Sequence, residues 1–207
     1  MHPNPIFRTA EAAQNLAFAA EQGFGMVALN GPGGLPHLAH VPFLIEGDRV
    51  LFHLVRSNPI VRALKSGTML RCVVRGPHGY ISPDWYGVPD QVPTWNYVAV
   101  QIDGRGQILD QDLLPALLDR LSERFETALA PKPVWKMSKM DPDALARMMR
   151  MIVPVQMQIS AVTGTWKLSQ NKDDAVRLAA ADGVVAAALD PQAAALAALM
   201  RDLAVGV

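Results

Sequence analysis

Three consecutive runs of strand-like sequence, joined by short turns, constrain the fold of this chain more than any other feature. The first run covers residues 24–29, and the turn Gly31-Pro32-Gly33-Gly34 separates it from a second run at 35–45. A tight connection, Glu46-Gly47-Asp48, leads into a third run at 50–55. Apolar residues of the second run share one phase of a two-residue period: Leu35, Ala39, Val41, Phe43 and Ile45. Such a meander of antiparallel strands is typical of the start of a sandwich or a barrel.

The rest of the chain alternates strands with helices. Further strands are predicted at 69–74, 80–81, 95–109 and 153–166, and Gly104 and Gly106 allow the strand at 95–109 to bend. Helices are predicted from Thr9 to Gln22, from Pro59 to Gly67, over 113–129 and 142–151, and from near Asp173 and Asp190 onward. This order favours an α+β fold, in which an antiparallel barrel carries peripheral helices.

The charge balance gives no global field that would attract nucleic acid or an anionic membrane, because 19 Lys and Arg residues match 19 Asp and Glu residues. No recognition-helix pattern or basic stripe supports direct DNA binding.

The sequence shows no leader peptide and no run of about 18 apolar residues, so a cytoplasmic protein without a membrane span is expected. The single cysteine, Cys72, lies in an apolar run and is expected to be a buried strand residue.

The strongest local site for an anion is the segment His53-Leu54-Val55-Arg56-Ser57-Asn58-Pro59, in which a helix is predicted to begin directly after a strand. The first amides of a helix carry a partial positive charge, and Arg56 adds a full one, so this segment would hold a phosphate group well. The alternative is structural: Ser57 or Asn58 only caps the helix, and Arg56 faces solvent.

Large aromatic side chains cluster at 76–86 and 92–97, beside turn-forming residues rather than on an apolar period. Because only 6% of the chain is aromatic, this density favours a site for a flat heteroaromatic ligand. A small aromatic core beneath a long loop explains it equally well.

A third cluster, at 164–172, combines a cation, a hydroxyl and amides. A helix cap at Ser169 or Asn171 would explain part of that cluster.

Two histidines, His40 and His53, lie on neighbouring predicted strands, and hairpin pairing could bring them together. A metal site needs further ligands, for which Glu46 and Asp84 are poor candidates, so no metal is expected. Polar histidines at a ligand pocket or a dimer contact are favoured instead. Haem ligation by His40, His53 or His78 is an alternative.

These segments together resemble the PaiB-like FMN-binding proteins, a family also described as negative transcriptional regulators. The resemblance spans residues 1–180, and residues 181–207 are expected to form an alanine-rich C-terminal helix that packs on the barrel or on a partner subunit. The matching segments, in chain order, are Gly23-Phe24-Gly25, 37–43, 53–59, 76–86, Val92-Pro93-Thr94-Trp95-Asn96-Tyr97 and Lys167-Leu168-Ser169-Gln170-Asn171.

The resemblance implies a split β-barrel of the flavin reductase and pyridoxamine-phosphate-oxidase type, with FMN bound between the subunits of a homodimer. By position, Arg56, Ser57 and Asn58 would hold the FMN phosphate. The residues expected around the ring or ribityl chain are Tyr80, Ser82, Trp85, Thr94, Trp95 and Asn96. Those expected to reach in from the same subunit or its partner are Lys167, Gln170 and Asn171, and His40 and His53 would also line the pocket.

Three functions are compatible with such a protein. The first is an FMN-dependent oxidoreductase acting on a small-molecule substrate; since no nicotinamide-binding glycine motif is present, a hydride donor would bind only transiently. The second is a regulatory or flavin-sensing protein that acts through a partner. The third is a haem-binding split-barrel protein. A hydrolase is disfavoured, because no Gly-x-Ser-x-Gly turn occurs and the cysteine lies within a predicted strand.

Overall fold

The computed structural model describes residues 1–64 and 67–203, so residues 204–207 of the predicted C-terminal segment lie outside the described residues. The described residues form six strands and six α-helices. In order they are α1 (Ala12–Gln22), β1 (Phe24–Asn30), β2 (Pro36–Glu46), β3 (Arg49–Val55), α2 (Pro59–Ala63), β4 (Thr68–Ile81), β5 (Thr94–Ile108), α3 (Leu114–Glu126), α4 (Pro142–Arg150), β6 (Ile152–Lys167), α5 (Asp174–Ala187) and α6 (Ala193–Arg201).

The strands hydrogen-bond in the order β1-β2-β3-β6-β5-β4, and β1 pairs with β4 to close a barrel. The β1–β2, β2–β3, β3–β6 and β1–β4 pairs are all antiparallel. In this order every strand of the described chain has two neighbouring strands. The predicted fold class, an antiparallel split β-barrel with peripheral helices, is thereby confirmed.

The described chain forms two compact units, and β4, β5 and β6 each contribute residues to both. The barrel unit comprises residues 16–74 and 101–162. The helix-rich unit comprises residues 1–15, 75–100 and 163–203. No helix among residues 1–64 and 67–203 is both long and apolar enough to cross a membrane.

The core of the barrel unit is built from alternate residues of its strands, as a period of two dictates. Phe43 of β2 and Phe52 of β3 are paired and almost completely buried. Cys72 is fully buried in β4, as predicted, and burial raises the pKa of its thiol to about 12. Gly104 of β5 allows close approach to β6, because a Cβ atom there would lie 2.2 Å from the Gln158 carbonyl oxygen.

The helix-rich unit is organised by the packing of α5 against α6. Arg177 of α5 is buried; its Nε donates to the Met200 carbonyl oxygen at 2.9 Å, and its Nη1 pairs with Asp174 at 2.6 Å. Alanines at the contact are also buried, among them Ala180, Ala181, Ala193 and Ala197. These small side chains allow the two helices to pack closely, and packing of this segment on the barrel or on a partner subunit stays a prediction.

Three local predictions were wrong. Residues 69–74 and 80–81 are one strand, because β4 runs through Gly76-Pro77 instead of turning there. Gly76 and Pro77 are both buried, so the alternation shifts at this point without ending the strand. Leu35 does not share the buried phase of β2: it precedes the strand and is 76% exposed. The helix after β6 is not capped by Ser169 or Asn171, because α5 begins only after Asp173.

The proposed division between residues 1–180 and 181–207 stays a prediction. Helix α5 runs across position 180, so the alanine-rich segment begins within a helix of the helix-rich unit.

Candidate functional site

The first candidate site is a cavity of about 230 Å³ in the helix-rich unit, named here the aromatic cavity. Tyr80 of β4, Trp85 of a 3₁₀ turn and Trp95 of β5 supply its aromatic side chains. The Tyr80 ring meets the Trp85 and Trp95 rings edge-on, at centroid distances of 6.3 and 6.4 Å. Trp95 remains 53% exposed. The structure therefore brings three predicted site residues together, with an indole available to stack on a flat ligand.

Helices α5 and α6 supply the apolar residues of the aromatic cavity, namely Val184, Ala187 and Ala193. The approach of α5 depends on Gly183, since a Cβ atom at this position would lie 2.4 Å from Cγ of Trp85. A glycine in the helix thus fixes how near the Trp85 ring lies to α5.

A histidine and an aspartate lie beside the aromatic cavity. Asp190 lines it, and its Oδ2 lies 3.6 Å from Nε2 of His78. The His78 ring stacks on Trp95 at a centroid distance of 6.0 Å. A group that can carry a proton therefore adjoins the exposed indole.

The second candidate site, named here the lysine cavity, has a volume of about 250 Å³ and also lies within the helix-rich unit. Asn96 lines it and is fully buried. Its Nδ2 donates to Ser169 Oγ at 2.8 Å, and the Tyr86 hydroxyl lies 3.3 Å from the same oxygen. Asn96 Oδ1 has no hydrogen-bond partner among the described residues. Leaving a buried amide oxygen without a donor costs about 1–3 kcal/mol.

Two ammonium groups line the lysine cavity. Lys167 Nζ donates to the Thr94 hydroxyl and, at 2.8 Å, to the Trp95 carbonyl oxygen. Lys172 Nζ donates to Gln91 Oε1 at 2.6 Å. Within the described part of the chain, neither lysine forms an ion pair. Burial lowers the pKa of Lys167, because the charged ammonium loses part of its hydration.

The two cavities receive neighbouring residues of β5. Thr94 and Asn96 line the lysine cavity, whereas Trp95 between them lines the aromatic cavity. Successive side chains of a strand point to opposite faces, so one strand contributes to both cavities from its two sides. The predicted group Thr94, Trp95 and Asn96 is therefore divided between two sites.

The predicted phosphate segment belongs to the barrel unit. Arg56 Nε donates to the Arg150 carbonyl oxygen at 3.0 Å, and Nη2 donates to Gln111 Oε1 at 2.8 Å. Asn58 caps α2 through its Oδ1, which accepts from the Ile60 amide at 2.9 Å. Ser57 is exposed beside them. The predicted cap is confirmed, and Arg56, although exposed, is held by hydrogen bonds to the end of α4, to Gln111 and to the start of β6.

The two histidines predicted to line the pocket both lie in the barrel unit, on the neighbouring strands β2 and β3. His40 of β2 pairs with Met26 of β1 and stacks on Phe24 at a centroid distance of 6.3 Å. His53 of β3 pairs with Pro154 of β6. Burial lowers the pKa of His53, and its Nδ1 has no partner among the described residues. The β2–β3 register places Phe43 opposite Phe52, so the two histidines are not direct partners, and their place in a pocket stays a prediction.

Two further predicted residues, Ser82 and Gln170, hold the local backbone. Ser82 Oγ accepts from the Asp84 amide at 3.4 Å and caps a 3₁₀ turn. Gln170 Oε1 accepts from the Leu168 amide at 2.8 Å, while its Nε2 donates to backbone carbonyl oxygens. Asn171 lines the lysine cavity. Of the predicted residues, Thr94, Asn96, Lys167 and Asn171 meet at this cavity.

Several cavity residues were not among the predicted site residues. Lys172 and Tyr86 stand directly beside predicted ones and carry suitable chemistry, so a wider reading of the 76–86 and 164–172 clusters would have included them. No sequence pattern marks three further lining residues, Val184, Ala187 and Ala193. A small apolar residue on a helix has the same sequence pattern whether it lines a cavity or fills a core.

The aromatic cavity fits the flavin ring of FMN, because it combines exposed aromatic faces with an apolar helix surface. Its 230 Å³ and the 250 Å³ of the lysine cavity both lie below the range of about 300–1,000 Å³ typical of cofactor-sized pockets. A complete FMN therefore extends beyond either cavity.

Comparison with known proteins agrees with these features. Residues 1–161 match the family described as "Putative FMN-binding domain". "Protease synthase and sporulation protein PAI 2" of Bacillus subtilis is 29% identical over 178 residues, which are 84% of each chain.

Solved structures share the fold at low sequence identity. The FAD and heme binding protein from Mycobacterium smegmatis aligns with a TM-score of 0.57 and 16% identity, over 81% of this chain and 76% of that one. The flavocytochrome Anf3 from Azotobacter vinelandii aligns with a TM-score of 0.58 and 15% identity, over 80% and 72% of the two chains. The chain therefore belongs to the FMN-binding domain family, as a PaiB-like split-barrel protein whose cofactor is FMN.

Proposed function

We propose that this chain is an FMN-dependent redox protein acting on a small molecule, with the flavin ring bound at the aromatic cavity. The supporting observation is the half-exposed indole of Trp95, held by edge contact with Tyr80. A flat ring stacked on Trp95 would keep its other face accessible to a reactant. When bound, FMN supplies hydride or electron transfer.

In this proposal the residues of the chain bind and orient the ring. Trp95 and Trp85 hold it in the cavity, and the apolar side chains of α5 and α6 exclude water from one side. His78 Nε2, beside Asp190, serves to give or accept the proton that accompanies redox chemistry. A neutral His78→Gln variant should keep FMN affinity and lose turnover with any accepted substrate.

We further propose that Arg56 binds the phosphate of FMN. Its hydrogen bonds to described residues use Nε and Nη2, which leaves the Nη1 group for a phosphate oxygen. The contacts to Arg150 and Gln111 hold the guanidinium in one orientation, which lowers the entropy lost on binding. This assignment concerns the barrel unit alone and is tested separately from the ring site.

A homodimer is proposed from an apolar strip on the outer face of β1 and β2. Phe24 and Leu38 are 54% and 52% exposed, and the register places Phe24, Met26 and Ala28 opposite Pro42, His40 and Leu38. A strand pair that exposes these side chains is suited to a second copy of the same face. A second subunit would also cover the part of FMN that neither cavity encloses.

Sedimentation at micromolar concentration tests the dimer. Leu38→Glu should yield monomers, because it places a charge in the proposed contact. Leu129→Glu is the matched control, since Leu129 is also about half exposed but lies outside β1 and β2. A monomeric wild-type protein would rule out the dimer.

Regulation and haem binding are the competing functions. A regulator would bind FMN without turning over a substrate and would act through a protein partner, as the equal numbers of acidic and basic residues give no general affinity for DNA. A haem protein would use a histidine such as His78 as its ligand. Absorbance spectra distinguish bound haem from bound flavin.

The decisive experiment is titration of the dialysed protein with FMN, followed by flavin fluorescence and calorimetry, with riboflavin and haem as comparison ligands. Saturable binding that prefers FMN, followed by substrate-dependent reoxidation of the reduced flavin, would support the proposal. FMN binding without turnover on a broad panel of small oxidants would favour regulation.

A further inference from the structure

We infer that the lysine cavity is a separate binding site for a small oxyanion that carries a neighbouring hydroxyl or amine. This site involves residues on the opposite face of β5 from Trp95, so it goes beyond the proposed FMN function. It would hold either a substrate or a regulator of the flavoprotein.

The first reason is that two cations line a cavity without matching carboxylates. Lys167 and Lys172 form no ion pairs among the described residues, and Asp90 is the only carboxylate of the described residues that lines the cavity. A partly buried ammonium without a counter-ion is destabilising, and a bound oxyanion would relieve that cost.

The ammonium groups also retain capacity for a ligand. Each ammonium has three N–H donors, whereas the hydrogen bonds to described residues use two on Lys167 and one on Lys172. The two ammonium groups also lie over the rings of Phe7 and Tyr86, at 6.0 and 5.4 Å from the ring centroids. The remaining donors can reach an oxyanion in the cavity. The Thr94 and Gln91 contacts hold the two lysines in place, so little side-chain entropy is lost on binding.

The second, independent reason is the unpartnered oxygen of Asn96. Its side chain is fully buried, and Ser169 fixes the amide through Nδ2 while Oδ1 remains without a donor. Native proteins seldom leave such an oxygen unsatisfied unless a ligand or a water completes it. The ligand should therefore present an O–H or N–H group close to its oxyanion.

The size of the cavity limits the ligand. A volume of about 250 Å³ accommodates a molecule such as glycerol 3-phosphate or L-lactate, whereas a complete FMN requires more. The ribityl phosphate of FMN shares the same chemistry, so the test must distinguish a flavin tail from a free oxyanion.

The test is calorimetric titration of FMN-saturated protein with glycerol 3-phosphate, and with propyl phosphate as the matched probe without hydroxyls. Glycerol 3-phosphate should bind about fivefold or more tightly than propyl phosphate, because only it can donate to Asn96 Oδ1. L-lactate and propionate form a second matched pair and should show the same preference.

Variants locate the site. Lys172→Met should weaken glycerol 3-phosphate binding about tenfold. Asn96→Asp should weaken it as well, because a carboxylate would repel the ligand. Lys139→Met removes an exposed lysine of the barrel unit and should have no effect. FMN and riboflavin titrations of each variant verify that the protein still folds and binds flavin.

Three results would overturn the inference. One is no measurable binding of any of the four probes. Another is equal binding to wild type and to Lys172→Met. The third is binding to flavin-free protein that disappears on saturation with FMN, together with loss of FMN but not riboflavin affinity in Lys172→Met, which would identify the flavin phosphate as the occupant.

Discussion

The two faces of β5 in the helix-rich unit offer opposite chemistry to a ligand. On one face, Trp95 contributes to a cavity of indoles, a phenol and apolar helix residues. On the other, Thr94 and Asn96 contribute to a cavity with two ammonium groups and an unsatisfied amide oxygen. Residues adjacent in sequence thus line different cavities, because successive side chains of a strand point to opposite faces.

Trp95→Ala is expected to change flavin affinity more than any other variant, and it tests whether the two faces of β5 bind different ligands. Loss of the stacking surface should weaken FMN and riboflavin equally, by about 30-fold, because both contain the same ring. Glycerol 3-phosphate binding should remain unchanged. Fluorescence titrations with both flavins measure the effect, and Trp135→Ala in the barrel unit is the control. A loss confined to FMN would show that Trp95 acts on the phosphate end instead.

Arg56→Ala sharpens the comparison by identifying the cation that binds the flavin phosphate. It should weaken FMN about tenfold and leave riboflavin unchanged, because only FMN carries the phosphate. Arg62→Ala is the neighbouring control, since Arg62 is engaged with the Ser57 carbonyl oxygen at 3.0 Å. Equal weakening of both flavins in Arg56→Ala would refute the phosphate assignment.

A smaller change is expected from Gly183→Ala. Alanine normally stabilises a helix interior by about 1 kcal/mol relative to glycine. Here its Cβ atom would collide with Trp85, so the ring must move and flavin affinity should fall a few-fold. Affinity for glycerol 3-phosphate should stay the same, since Trp85 does not line the lysine cavity. Unaltered flavin binding would exclude Trp85 from the ring site.

The smallest expected effect is a change of oxyanion affinity with pH. Burial lowers the pKa of Lys167 from its usual 10.5, so its ammonium is charged below the lowered pKa and loses its proton as pH rises through it. Oxyanion affinity at the lysine cavity should therefore be greatest at lower pH and decline before an ordinary lysine titrates. Calorimetry with glycerol 3-phosphate from about pH 7 to about pH 10 measures this, and Lys167→Met should remove the Lys167 contribution. An oxyanion affinity that stays constant up to about pH 10 would contradict it.

The sequence predicted the barrel well, because its evidence is local and periodic. The meander of β1, β2 and β3 follows from alternating apolar residues and short turns, and the Asn58-Pro59 start of α2 follows from capping chemistry. The segment Gly76-Pro77 led to a wrong prediction of a break in β4. Glycine and proline can also occur inside a strand, at positions where the missing side chain or the missing amide is tolerated.

The site was predicted less completely, because its grouping depends on tertiary geometry. The segment Thr94-Trp95-Asn96 signals ligand chemistry, but composition cannot reveal that alternate residues face different cavities. Lys172 belongs to the 164–172 cluster, but only the fold reveals that this cluster lies beside Gln91. Small helix residues such as Ala187 carry no chemical signal at all.

The most direct test of the two-face account is a crystal structure of the FMN-loaded protein grown without other oxyanions. The account predicts the flavin ring stacked on Trp95 beside Tyr80 and Trp85, with no flavin atom contacting Lys172 or Asn96. Flavin density inside the lysine cavity, with its phosphate on Lys167 and Lys172, would contradict it.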